Sequence, residues 1–192
     1  MIKKSSSSSK SVLVICLMSL STFVFSQDLT IGSQTWASEN LSVLNYQNGD
    51  PIIEGSNSTT WRNACNEQKG AYCVYNGQVL YNWYAVNDPR GLAPSGYNVP
   101  SFDDWHELFL GLGGIELEKG VLKKAGFYKT GAGSRDALTG VSGYGSWCSW
   151  WSTDKSDDRH AYSCIVYIGL KGAHLYPGYY ENGLSVRCIK SD

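Results

Sequence analysis

Beyond a single apolar block near its amino terminus, the chain alternates short hydrophobic segments with breaks rich in glycine and proline. The block covers residues 12–25, follows a basic start at Lys3, Lys4 and Lys10, and is interrupted by Ser19, Ser21 and Thr22. It is too short and too polar to span a bilayer, and it has the form of a secretory signal peptide. Val24 and Ser26 are tolerable at the third and first positions before a cut, so cleavage is expected after Ser26, leaving residues 27–192 as one exported domain. Cys16 inside the block would suit a lipoprotein, but Ile15 precedes it where a small residue is expected.

The clearest periodicity in the rest of the chain is helical. Trp105, Leu108, Phe109 and Leu112 recur at i, i+3, i+4 and i+7 and form one apolar stripe. Ser101 stands before them as an N-cap with Asp104 three residues on, as in a capping box; Pro100 precedes and Gly113-Gly114 follow. A second, shorter helix is expected within residues 116–124. Strands are expected at 29–35, 72–75, 161–168 and 184–189, where β-branched and aromatic residues lie between turn formers. There is no internal repeat, so the pattern predicts an α+β domain around one clear helix.

Charge and cysteine content narrow the picture. Beyond residue 26 the chain has thirteen basic against seventeen acidic residues, a mild acidity that argues against nucleic acid as a partner. No later segment is long and apolar enough for a membrane helix. Five of the six cysteines remain after the signal. Cys65 and Cys73, eight apart in a polar and turn-rich stretch, are the expected disulfide in a compartment where such bonds form. A loop that small stabilises by about 2 to 3 kcal/mol in the chain-entropy model. Cys148, Cys164 and Cys188 leave room for one further bridge and one thiol.

A family resemblance runs through the motifs in order. Ile31-Gly32-Ser33-Gln34-Thr35-Trp36 with Glu39-Asn40-Leu41, then Asn48-Gly49-Asp50-Pro51-Ile52, Ala71-Tyr72-Cys73-Val74-Tyr75-Asn76 and Leu80-Tyr81-Asn82-Trp83-Tyr84-Ala85-Val86 resemble the Fibrobacter succinogenes major paralogous domain family. The segment 91–101 with Trp105, then Trp150-Trp151-Ser152-Thr153, and Gly183-Leu184-Ser185-Val186-Arg187-Cys188 continue it. The resemblance implies a C-type lectin-like fold: a small twisted antiparallel sheet, one or two helices, and long loops in which binding usually resides. It also implies a secreted or cell-surface domain acting in adhesion or carbohydrate contact. Two departures stand out. Ala93 occupies a position where the family commonly has a cysteine expected to bridge to the one matching Cys188, so Cys188 must find Cys148 or Cys164 or stay reduced. The stretch between Lys129 and Trp147 is shortened.

The candidate chemistry is sparse. The calcium-dependent sugar site of lectins, with its Glu-Pro-Asn or Gln-Pro-Asp loop, is absent. Asp154, Ser156 and Asp158 alternate as at the start of a calcium loop and Asp157 adds charge, which makes Asp154, Asp157 and Asp158 the candidate metal ligands. Arg159 stands where glycine is needed and Ile165 where the bidentate glutamate is needed, so a solvated acidic turn is the favoured account and no cofactor is expected. Seven Trp and thirteen Tyr fall beyond residue 26. Trp36, Trp83, Trp105, Trp150 and Trp151 are expected to fill core, whereas Tyr176, Tyr179 and Tyr180 lie in an expected loop and are the candidate ligand contacts. His106, His160 and His174 form no ligand pattern, and no nucleophile or phosphate motif occurs.

The expected role is a non-catalytic binding or adhesion module of the bacterial cell exterior, its partner a polysaccharide or a surface protein. The alternatives are a carbohydrate-active enzyme using carboxylates around 154–158 and Glu181, and a structural envelope protein.

Overall fold

A computed structural model describes residues 28–114, 116–117 and 120–191. The expected signal peptide lies outside the described residues. The architecture is α+β, with several small sheets and few helices. The expected segment 29–35 is a hairpin, β1 (Asp28–Ile31) and β2 (Gln34–Ala37), turning at Gly32, whose φ of 61° lies in the left-handed region that favours glycine. After β2 come β3 (Ile53–Glu54), α1 (Ser58–Asn66) and the hairpin β4 (Ala71–Tyr75) and β5 (Gln78–Tyr81). Then follow α2 (Trp83–Val86), β6 (Tyr97–Asn98), α3 (Phe102–Gly111), α4 (Val121–Lys124) and the hairpin β7 (Ser134–Asp136) and β8 (Gly140–Ser142). The chain finishes with β9 (Trp147–Lys155), β10 (His160–Tyr167), β11 (His174–Tyr179) and β12 (Ile189–Lys190).

The first and last strands meet in one sheet, ordered β1-β2-β12-β6, where Ile189 pairs with Trp36. A second sheet, β11-β10-β9, is wholly antiparallel. In the third, β3 runs parallel to β4 and β5 antiparallel to it.

Helix α3 forms as its sequence signals predict. Ser101 Oγ accepts the Asp104 N–H at 3.1 Å and Asp104 accepts the Ser101 N–H at 2.7 Å, closing the capping box. Trp105, Leu108 and Phe109 are buried on the stripe. They pack into an aromatic knot in which Trp36 lies 4.9 Å from Trp105 and 5.3 Å from Phe127, with Phe127 5.7 Å from Trp150. Ring pairs of this kind each add about 0.5–1.5 kcal/mol beyond burial. All five tryptophans expected in the core are buried there. Each also donates its indole N–H to an oxygen, as Trp83 does to Ser152 O and Trp151 to Tyr81 O. A buried indole needs that partner, and the arrangement fixes each ring's orientation.

Four expectations are corrected. First, α1 occupies the stretch read as polar turns. Asn57 caps it, accepting the Thr60 N–H at 2.8 Å, but only Trp61, Ala64 and Cys65 are buried, so its apolar stripe is narrow. Second, the Cys65–Cys73 bridge is not formed. Cys65 sits on α1 and Cys73 in β4, each a buried thiol, and Asn82 Nδ2 approaches the Cys65 sulfur at 3.7 Å. Cys148, Cys164 and Cys188 are also buried thiols, and burial pushes Cys148 and Cys188 up to about 12. Third, the segment read as a loop before the last strand contains β11, an edge strand that accommodates Pro177. Fourth, residues 184–189 are mostly not a regular strand. They run between neighbours through single bridges, Leu184 to Tyr81 and Ser185 to Trp150, before β12. The expected helix within 116–124 begins at Val121, and part of the expected range falls outside the described residues.

Candidate functional site

The structure does not bring the three candidate tyrosines together. Tyr180, 6% exposed, is core: its ring stacks on Trp83 at 4.3 Å and 16°, and its hydroxyl donates to Asp157 O at 2.7 Å. Tyr176 and Tyr179 are 52% and 49% exposed but three residues apart on one strand, and so point to opposite faces of the sheet. Tyr179 lies opposite His160, with the rings 4.2 Å apart, and under the Arg159 guanidinium at 5.6 Å.

The acidic candidates are held by local structure. Asp154 accepts the Phe102 N–H at 2.5 Å and the Ser152 hydroxyl at 3.2 Å, tying β9 to the start of α3. Asp157 accepts the N–H groups of Arg159 and His160 and faces the His160 ring at 2.8 Å; these bonds hold its carboxyl below the usual range and make the turn between β9 and β10. Asp158 is exposed in the same turn. Among the described residues no group of three or more His, Cys, Asp or Glu is arranged to hold a metal ion. Nor is any described helix long and apolar enough to cross a membrane.

Two surface features remain. The first is one face of the β9-β10-β11 sheet. Register puts Trp147 opposite Tyr167, Ile165 between Ser149 and His174, and Ser163 between Trp151 and Tyr176, all on that face. At one end Trp151 is buried beneath Gly178. At the other, Trp147, Ile165 and His174 are half-buried, while Tyr167 and Tyr176 are exposed. The Trp147 and Tyr167 rings lie 6.5 Å apart, and those of His174 and Tyr176 5.6 Å. Gly143 holds the Trp147 ring in place: a Cβ there would sit 2.1 Å from the indole, and its φ of +78° already favours glycine.

The second feature is a cleft of about 360 Å³, bounded by residues 38–42, the start of β5, residues 126–130 and Tyr144, with Arg187 at its floor. Arg187 is 3% exposed. Its Nε and Nη2 donate to Asn40 Oδ1 at 3.1 and 2.9 Å, Nη1 donates to Ala37 O at 2.9 Å, and Nη2 donates to Phe127 O at 2.6 Å. Among the described residues no carboxylate pairs with it. Burial pulls its pKa down to about 10, and the Glu39 carboxylate, beyond ion-pair distance, acts against that fall. Asn40 is the junction. Its Oδ1 also accepts the Trp150 N–H at 2.8 Å, and its Nδ2 donates to Gln78 Oε1 at 3.1 Å and Ser185 Oγ at 3.3 Å.

The first and last motifs of the resemblance, around Glu39-Asn40 and Ser185-Val186-Arg187, thus converge on one buried hydrogen-bond network. Fittingly, the Fibrobacter succinogenes major domain matches residues 29–190, and the chain belongs to that family. No curated protein and no solved structure matches it. Sequence reasoning missed the cleft altogether. Its lining comes from five separated segments, and Gln78, Tyr128, Lys129 and Tyr144 carry no motif of their own. A buried Asn–Arg junction joining the two ends of the matched region was the available signal.

Proposed function

We propose that the chain is an exported, non-catalytic binding module that contacts polysaccharide through the open face of its β9-β10-β11 sheet. The observation behind this is the aromatic set on that face, Trp147, Tyr167, His174 and Tyr176, partly exposed on a rigid sheet rather than on a loop. Flat rings fixed on a sheet meet sugar faces at little cost in conformational entropy. A C-type lectin-like arrangement agrees with the small sheets and long connections. Binding rather than turnover is favoured because glycoside hydrolysis needs two carboxylates flanking one bond, while the cleft is lined by Glu39 as its one acid and Asp154 is engaged with α3.

The test is co-sedimentation of the purified protein with insoluble polysaccharides, with and without chelator, alongside a Tyr167→Ala/Tyr176→Ala variant. Binding that survives chelator and falls at least about tenfold in the variant is expected, since stacked rings contribute about 1.4 kcal/mol or more together. Undiminished binding in a folded variant, or no binding to any polysaccharide, would remove this face as the site and leave contact with a surface protein as the better account.

A further inference from the structure

We infer that the cleft above Arg187 is a second binding site, separate from the sheet face, and that it takes one ring of an uncharged, polyhydroxylated sugar. The polar groups around the cleft divide into those the fold engages and those it leaves open. Arg187 and Asn40 are engaged by the fold, as the network shows. The groups that line the space above them are not. Among the described residues the Glu39 carboxylate, the Lys129 ammonium and the hydroxyls of Tyr128 and Tyr144 have no hydrogen-bond or ion-pair partner, and Gln78 uses its Oε1 but not its Nε2. Ser38 Oγ, also on the lining, is buried and unpartnered.

This set mixes one strong acceptor with several donors, and the two exposed charges, Glu39 and Lys129, are opposite in sign. An anion would meet Glu39, a cation would meet Lys129 and Arg187, and a purely apolar ligand would strand all of these groups. A sugar ring presents hydroxyls that both donate and accept, so it can answer each group at once. Tyr144, 44% exposed and braced edge-on by Tyr75 at 5.9 Å, offers a ring wall for its apolar face. Burial raises the Tyr128 phenol above its ordinary value, so it remains a neutral donor across the physiological range. The volume lies at the small end for ligand pockets and suits one ring rather than an extended chain.

The experiment is a titration of the isotopically labelled protein with methyl glycosides of glucose, galactose, mannose and xylose, and with glucuronic and galacturonic acid, followed by backbone amide NMR. At least one neutral glycoside is expected to give saturable shifts at residues 38–42, 77–79 and 126–130, with a dissociation constant on the order of 1 mM. Gln78→Ala and Glu39→Gln should each weaken it about tenfold or more, and Leu110→Ser, an exposed change on α3, should leave it unchanged. Glu39 is exposed, so Glu39→Gln remains informative if Gln78→Ala disturbs the fold. Three results overturn the inference: no saturable shifts at those amides, native affinity in the Glu39 variant, or binding of the acids alone, which would mean that the guanidinium recruits an anion. None of them bears on the sheet face, whose own test reads polysaccharide binding.

Discussion

The floor of the cleft and the open face of the sheet treat their side chains in opposite ways. At the floor, Arg187 is buried and Asn40 half-buried, and they spend nearly all their donors and acceptors on one another, on Trp150, on neighbouring side chains and on main-chain oxygens. On the sheet, Tyr167 and Tyr176 keep about half their surface exposed, and their closest ring partners lie 5.6 Å or more away. Family motifs mark the first region and hardly touch the second. Engaged groups hold the fold together, which is why the motifs cluster there, and unengaged groups are left for a partner.

The largest test of this contrast is Asn40→Ala. It leaves Arg187 Nε, part of Nη2 and the Trp150 indole without an acceptor beside a buried cation, so a loss of about 3 to 5 kcal/mol is expected. Chemical denaturation would measure it. Arg187→Lys should also destabilise strongly, because one ammonium cannot span Asn40, Ala37 and Phe127 as the planar guanidinium does. A loss below about 1 kcal/mol in both would mean that water or a shifted side chain replaces the network, and that the floor is not a fixed element.

Intermediate in size is Gly143→Ala. The added methyl would meet the Trp147 ring at 2.1 Å from a backbone already at φ +78°, so Trp147 must move. A cost of about 1 to 3 kcal/mol is expected, together with lost polysaccharide binding, because the displaced indole no longer shares the face with Tyr167. Near-native stability combined with lost binding would sharpen the comparison further, separating the face from the core it rests on.

Much of the core was legible in the sequence, and little of the surface was. The capping box at Ser101 and the stripe from Trp105 to Phe109 are local signals, each decided within a single turn of helix. The β10 strand was readable for the same reason, from Tyr162, Ile165, Val166 and Tyr167 in a stretch without glycine or proline. What failed depended on contacts distant in sequence. Tyr180 looked like a loop residue because Pro177, Gly178 and Gly183 surround it, yet Trp83, nearly a hundred positions earlier, provides the ring on which it stacks. Helix α1 was hidden because only three of its residues face the interior. Cys65 and Cys73 suggested a bridge by spacing alone, and spacing does not reveal that a helix and a strand hold them as separate thiols.

The smallest expected effect is also the most discriminating. Tyr176 is half exposed on an edge strand, its hydroxyl bonds to nothing among the described residues, and its ring meets only His174 at 5.6 Å. Tyr176→Ala should therefore change stability by no more than about 0.5 kcal/mol, as surface substitutions away from special features do. Its main chain still accepts the Ser163 hydroxyl at 3.0 Å, a contact the substitution leaves intact. Thermal and denaturant unfolding would measure the change beside polysaccharide binding. A tyrosine that costs nothing to remove from the fold but weakens binding is held for a partner. One whose loss destabilises by about 2 kcal/mol would instead be covering the sheet edge, and the division between a floor built for stability and a face left free would fail at that residue.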